Sequence, residues 1–445
     1  MNILFLSLID FDSISEKGIY TDLLTELQQM GHEIYAVSPF ERRKGGKERV
    51  IRENDHVSIL KVMIGNTQKT NLIEKGISTV TIEPLLIRGI DRYFGNVSFD
   101  LILYATPPIT FERVIRHVKK KNGNAVSYLM LKDIFPQNAV DLGMFSKDSP
   151  MYLYFRMKEK RLYEISDYIG CMSPENCRYL LRHNPEICKE RVEVCPNSIK
   201  LDDGKADKNG NTGADAGKAD RNGSAQVDVS RGDTGLDVKM LVNRAERESL
   251  RKRLREAYGL PTDRVIFLYG GNLGKPQDIP FLIRCLKENQ GKSDRFFLIC
   301  GSGTEYERLH SYYESIRKDE DCNIKLLKEL PKEEYEQLPK ICDAGLIFLD
   351  HRFTIPNFPS RILSYMEAGI PVLAATDTHT DMKNVILKGQ FGDWCESVSA
   401  SDFTQMLDRF LAEPERVKKY GQNARKFLER HFTTRQAAEK IMGRM

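Results

Sequence analysis

The chain has 445 residues, is 41% hydrophobic and carries 67 basic against 63 acidic side chains, a net charge of +4. That length suits two to three domains with full cores, and the near balance of charge excludes nucleic-acid binding driven by overall charge. Nine cysteines at irregular spacing, with no C-x-x-C, argue against a disulfide framework or a zinc site and fit a reducing cytosol.

No run approaches the roughly 18 consecutive apolar residues of a membrane span. The opening run Met1–Ile9 is apolar but short, without a basic leader or small-residue cleavage site, so it reads as a buried first strand and not a signal peptide. Asn2–Leu8, Glu33–Ser38, Leu101–Tyr104, Ala125–Met130 and Tyr168–Met172 follow as strands. Their continuous apolar character predicts parallel strands covered on both faces. Helical patterns such as Ser15–Met30 and Thr110–Lys121 lie between them, and the alternation predicts an α/β doubly wound fold.

The alternation stops near Ile199. Residues 202–243 are rich in Gly, Asp, Asn and Lys, and Gly204–Gly210 nearly repeats as Gly217–Gly223. Such a segment cannot bury enough apolar surface to offset its ordering entropy and reads as a flexible low-complexity spacer. A charged helix, Ala245–Tyr258, is closed by Gly259 and Pro261. Val265–Tyr269, Phe296–Cys300, Ile324–Leu327, Gly345–Leu349 and Val372–Ala375 then read as the strands of a second Rossmann-like domain. The expected division is a first Rossmann-like domain over 1–200, the insertion over 202–243, a second Rossmann-like domain over 244–425 and a basic helical tail, 426–445, that either caps the second domain or crosses back to the first.

In doubly wound sheets ligands sit at the carboxyl ends of the strands, so residues there are the candidates for chemistry. Tyr269–Lys275 (YGGNLGK) follows a strand. Gly271 and Gly274 permit positive φ and close backbone approach, Asn272 lies between them, and a helix expected from about Gln277 offers free N–H groups and a positive dipole end. Lys275 adds a point charge for phosphate; an ordinary strand-to-helix turn would use the same glycines. Gly301, in Cys300–Gly303, marks a close backbone approach to a base, a ribose or simply a turn. Thr354–Arg361 precedes a helix, with Ser360 at the cap position and Arg361 beside it suited to a diphosphate; Arg361 is otherwise a solvated helix charge. In the first half, Gly18 follows the first strand by a short loop. Asp133 ends the strand Ala125–Met130, where it orients a hydroxyl, accepts a proton or merely forms an Asx turn before Pro136. The segment Met151–Tyr163 mixes aromatic with basic residues, and a second basic run includes Arg113, Arg116 and Lys119–Lys121. Both suit either an anionic membrane surface or a core helix with one solvated face.

Taken together, Tyr269–Gln277 (YGGNLGKPQ), Pro359–Arg361 (PSR) with Gly369–Val372 (GIPV), Leu131–Pro136 (LKDIFP) and Cys195–Ser198 (CPNS) resemble glycosyltransferase family 4, in the form found in bacterial capsule and surface-polysaccharide synthesis. The resemblance spans nearly the whole chain outside 202–243. It implies the GT-B fold, two Rossmann-like domains facing each other across a cleft, with donor bound mainly by the second. It also implies a uridine-diphosphate sugar donor, retention of configuration, and no metal or other cofactor. The leaving diphosphate would be balanced by Lys275, Arg361 and helix N-termini, and the donor phosphate itself would take the acceptor's proton. The acceptor implied is a saccharide on polyprenyl diphosphate, met from the cytoplasmic side by a peripherally attached enzyme that binds no nucleic acid.

Two departures stand out. The family's pair of glutamates, with seven residues between them, falls here on Pro356 and Ser364, so the ribose contact passes to Ser364 or to Glu367 one turn later. The first-half loop has the single Gly18 where many relatives have a glycine pair. Other readings are a scaffold that binds nucleotide sugar without turnover, and a GT-B epimerase. The latter needs cleft carboxylates and histidines, and His117, His183, His310 and His351 form no such cluster in sequence.

Overall fold

The computed structural model describes residues 1–66, 72–201 and 244–445, so the repeat-bearing segment 202–243 lies outside the described residues. The chain divides into two compact units, Met1–Lys200 with Asp263–Met445, and Leu201–Thr262. In the second unit the described helix is Arg244–Ala257, which ends before Gly259 at φ 60°.

The first unit holds two sheets. One contains β1 (Asn2–Leu6), β2 (Glu33–Glu41), β3 (Arg49–Asn54), β4 (Val57–Ile64), β5 (Leu101–Ala105), β6 (Val126–Leu131), β7 (Tyr168–Cys171) and β8 (Val192–Val194). Their order is β3-β4-β2-β1-β5-β6-β7-β8, parallel except where β3 pairs antiparallel with β4. The other contains β9 (Val265–Asn272), β10 (Arg295–Ser302), β11 (Ile324–Leu327), β12 (Ala344–Phe348), β13 (Val372–Thr376) and β14 (Gly392–Glu396), all parallel, in the order β11-β10-β9-β12-β13-β14.

Strands read as unbroken apolar runs are buried along their length: Leu101–Ala105, Ala344–Phe348 and Val372–Thr376 are buried at every position. Helices cover both faces of the first sheet, with Leu86, Ile90, Val114 and Leu162 in one layer and Leu23, Leu24, Leu27 and Ile441 in the other. A smaller apolar cluster, Ile134 and Leu142 with Leu349, Phe353 and Ile355, ties the two sheet regions together.

The expected single tail helix is two, Pro414–His431 and Thr434–Met442, because Thr433 and Gln436 form a capping box that starts a new helix. The last helix packs on Ile19–Gln29 of the first sheet region. Lys440 Nζ donates to the Val194 carbonyl and Arg444 pairs with Glu193 at 3.0 Å.

Candidate active site

Strand order reverses between β1 and β5 in one sheet and between β9 and β12 in the other. At such points neighbouring connections leave on opposite faces and open a crevice at the carboxyl ends of the strands. The loop carrying Gly18 follows β1. The Gly270–Lys275 stretch forms the last three residues of β9 and the turn after it, and the segment ending in Arg361 follows β12.

Around the second reversal the structure brings Gly271, Gly301 and Arg361 together. Gly271 has φ 109°, a conformation open to glycine, and a Cβ there would stand 3.8 Å from the Arg361 guanidinium. A Cβ on Gly301 would collide with the Gly271 carbonyl oxygen. A close approach at Gly301 is seen to the neighbouring strand, in the Gly271↔Gly301 register. The Arg361 guanidinium lies over the Tyr269 ring at 4.5 Å. Its Nη1 is buried without a hydrogen-bond partner, and among the described residues no carboxylate lies within ion-pair distance of it.

The turn itself is stapled by Gln277, whose Oε1 accepts from Asn272 Nδ2 (3.1 Å) and from Gly274 N (3.2 Å). Asn272's amide is thus committed to shaping the turn. Lys275 is exposed at the start of a short 3₁₀ turn, Lys275–Gln277, and the long helix begins only at Ile279. Its N-cap is Asp278, whose carboxylate accepts from Phe281 N at 3.1 Å. The helix N-terminus expected to meet a phosphate is already served by the chain's own anion. The cationic groups left for a ligand here are Arg361 and Lys275.

Ser360 does not cap a helix. The helix starts at Ile362, and the Ser360 hydroxyl accepts from Asn197 Nδ2 across the gap between the two sheet regions. Ser364, held in reserve for a ribose, donates to the Arg361 carbonyl at 2.9 Å. Glu367, on the same short helix, pairs with Lys17 at 3.1 Å, and Lys17 is also 3.7 Å from Glu336. Lys17 brings the β1 loop, with Gly18, against the second sheet region. Gly18 itself sits at the start of helix Ile19–Gln29, its N–H donating to Asp22 Oδ1 at 3.0 Å.

Asp133 follows β6, opposite these groups. Burial raises its carboxyl pKa above the ordinary aspartate range, opposed by hydrogen bonds from Ile134 N–H and Asn138 Nδ2 (3.0 Å). A carboxyl so placed is a stronger base than an exposed one.

Sequence reasoning passed over several residues. Lys132, beside Asp133, is enclosed near Tyr20, Asn197 and Ser198 and donates to the Cys195 carbonyl at 3.2 Å; burial lowers its pKa. Tyr365 accepts from Gly270 N at 3.2 Å, and the ring of Tyr335 fills the space above Gly270. Their signal was the absent side chain at Gly270, which needs a large neighbour to fill it. Asp278, Asp350 and His351 converge as a candidate cation group, but Asp350 is already held by Arg352 through both oxygens, at 2.9 and 2.6 Å.

Residues 251–427 match the family model of glycosyl transferases group 1. No curated protein sequence matches the chain. Among solved structures, the sucrose-phosphate synthase of Thermosynechococcus elongatus is similar with a TM-score of 0.70 and 15% identity, over 100% of this chain and 98% of that one. HepE of Anabaena, solved in complex with UDP and glucose, is similar with a TM-score of 0.65 and 14% identity, over 100% and 99%. WaaG, a glycosyltransferase involved in lipopolysaccharide biosynthesis, is similar with a TM-score of 0.64 and 11% identity, over 100% of both chains. The fold is the two-domain GT-B fold seen in these solved structures.

Proposed function

We propose that the protein transfers a sugar from a UDP-sugar, with retention of configuration, to a saccharide carried on polyprenyl diphosphate, in the synthesis of a surface polysaccharide. The observation that carries this is Arg361: a guanidinium with a buried, unpartnered nitrogen, facing a glycine turn at the carboxyl edge of a doubly wound sheet. A cation so placed calls for an anion, and a nucleotide diphosphate has the charge and size to answer it. The HepE complex with UDP and glucose and the group 1 domain support the choice of nucleotide sugar.

In this reading Arg361 and Lys275 hold the diphosphate and stabilise the charge that develops as the glycosidic bond breaks, so the reaction needs no metal. Asp133 orients the acceptor hydroxyl, and the leaving phosphate takes its proton. With Ser364 bonded to the backbone, the ribose hydroxyls fall to Glu367 once Lys17 releases it. No described helix is long and apolar enough to cross a membrane, and a lipid-linked acceptor would be met by peripheral contact at the cytoplasmic face.

The test is transfer from a panel of UDP-sugars into a membrane lipid extract, with chelator present and with product stereochemistry read by NMR. A labelled glycolipid with the donor's anomeric configuration is expected. Transfer abolished by the chelator and restored by a divalent metal would overturn the metal-free chemistry, and nucleotide binding without any transfer would point to the scaffold.

A further inference from the structure

Among the described residues twelve large hydrophobic side chains are exposed, and five of them fall between residues 144 and 157. They are Met144 at 60% exposure, Met151 at 56%, Leu153 at 59%, Tyr154 at 43% and Met157 at 38%. Exposed apolar residues scattered singly need no explanation, but a contiguous group does.

Helix Pro150–Ile165 explains how they come together. Ser149 caps it, accepting from Tyr152 N at 3.2 Å, and Pro150 occupies its first turn. Its inner face is committed to the core through Leu162 and Tyr163. Tyr154 and Met157 lie on the opposite side with Leu153 beside them, and Met151 is exposed in the helix's first turn. The apolar stretch ends where Lys160 and Arg161 begin, and Lys147 precedes it. The helix Glu112–Lys121 packs alongside with five basic residues against its single Glu112. Arg116, Lys119 and Lys121 pair with Glu112, Asp167 and Asp91, and Lys160 with Glu186, so the exposed cations offered to lipid from these segments are Arg113, Lys120, Lys147 and Arg161.

We infer that this face seats the protein on an anionic lipid bilayer, the apolar side chains entering the headgroup boundary and the basic ones meeting lipid phosphates. The inference rests on the proposed lipid-linked acceptor and gives that reading a surface. Topology favours lipid over a second copy of the chain. The helix starts from the connection that leaves the carboxyl end of β6, so its exposed first two turns lie at the sheet edge that carries Asp133. A lipid reaching this face presents its headgroup at the edge where the acceptor must arrive.

The experiment is co-sedimentation of the full chain with vesicles containing phosphatidylglycerol and with vesicles of phosphatidylcholine alone. It compares the native chain, a Met151→Gln/Leu153→Gln/Tyr154→Gln variant and a Leu387→Gln/Val398→Gln control that alters exposed apolar residues elsewhere. The native chain and the control should bind the anionic vesicles, and the triple variant about tenfold or more weakly, with its melting temperature unchanged. UDP binding, followed separately by thermal shift, should be the same in all three. Equal vesicle binding by the triple variant, or none by the native chain, overturns the inference. So does a native dimer that the triple variant turns into a monomer, since the face would then be covered by a second copy. Loss of UDP binding in the native chain would instead strike the reading of function and leave the vesicle result standing.

Discussion

Replacing Arg361 by methionine should separate a binding arginine from a structural one. The side chain lies over Tyr269, and its Nη1 is buried with no partner. Leaving a buried donor unpaired costs about 1–3 kcal/mol, while the contact with the ring returns about 0.5–2 kcal/mol. The ligand-free variant should therefore lie between about 1 kcal/mol less and about 2.5 kcal/mol more stable than the native chain. Ligand binding should fall in either case. Loss of two charge-assisted hydrogen bonds to a diphosphate, taken together at about 3 kcal/mol, weakens UDP binding roughly 150-fold. At a UDP concentration about 100 times the native dissociation constant, the native chain gains about 2.7 kcal/mol of stability and the variant only about 0.3 kcal/mol. Thermal melting with and without UDP, with affinities from calorimetry, measures both effects. A variant that binds UDP within threefold of the native chain would refute the reasoning. So would a ligand-free variant destabilised by more than about 3 kcal/mol, the loss expected on breaking a satisfied buried ion pair.

Three further outcomes follow from the structure. Burial pushes the Asp377 carboxyl up to about 6 against the N–H groups of Thr380 and His379, and its Oδ2 has no partner; a raised carboxyl costs nothing below about pH 4, where both states are protonated, and its full cost, on the order of 3 kcal/mol, is reached above about pH 6. Asp377→Asn keeps the turn and should therefore stabilise the protein by about 1–3 kcal/mol at neutral pH but not at pH 4, and equal gains at both pH values in denaturant titrations would contradict this. Lys61→Met should destabilise by roughly 1–3 kcal/mol and speed hydrogen exchange over residues 8–17, because the buried Lys61 pairs with Asp10 and Asp12 (2.7 Å) and donates to the Phe11 carbonyl (2.9 Å). Gly301→Ala should cost about 1–3 kcal/mol through the clash with the Gly271 carbonyl and weaken UDP binding with it, and unchanged affinity would separate the turn from the nucleotide site.

The fold was legible wherever a strand is buried on both faces. β5, β12 and β13 are continuous apolar runs, and their ends were placed within about two residues. The strands that escaped notice break that pattern for identifiable reasons. β4 has Lys61 in its middle, a charge that reads as exposed until Asp10 and Asp12 arrive from a loop some fifty residues earlier in sequence. β3 is an edge strand with no buried position, β8 has three residues, and β14 carries Asp393 and Glu396 within five. At the site, sequence located the Gly270–Lys275 turn and Arg361, because glycine and arginine at strand ends are local signals. It did not foresee the hydrogen-bond partners of Ser360 and Ser364 or the later start of the two helices. The partners of those groups, Asn197, the Arg361 carbonyl and Asp278, are set by tertiary contacts or by one unexpected αL residue, Asp278 at φ 44°.

Two buried cations, Lys61 and Arg295, and two half-buried ones, Lys132 and Arg361, show why one is read as functional. Lys61 meets two aspartates, and Arg295 meets Asp294 (2.7 Å) and Asp408 (2.7 Å); these charges are accounted for within the chain. Lys132 meets only the Cys195 carbonyl, and burial lowers its pKa. A lysine can answer burial by giving up its proton, so its position demands no counter-charge. Arg361 has neither remedy. Its guanidinium stays protonated in any protein environment, and burial leaves one of its nitrogens with nothing to bond. Beside it Gly271, with no side chain and φ 109°, leaves the space next to the guanidinium open. The placement of Arg361 at the β9–β12 reversal is the reason the proposed function gives it the donor's diphosphate.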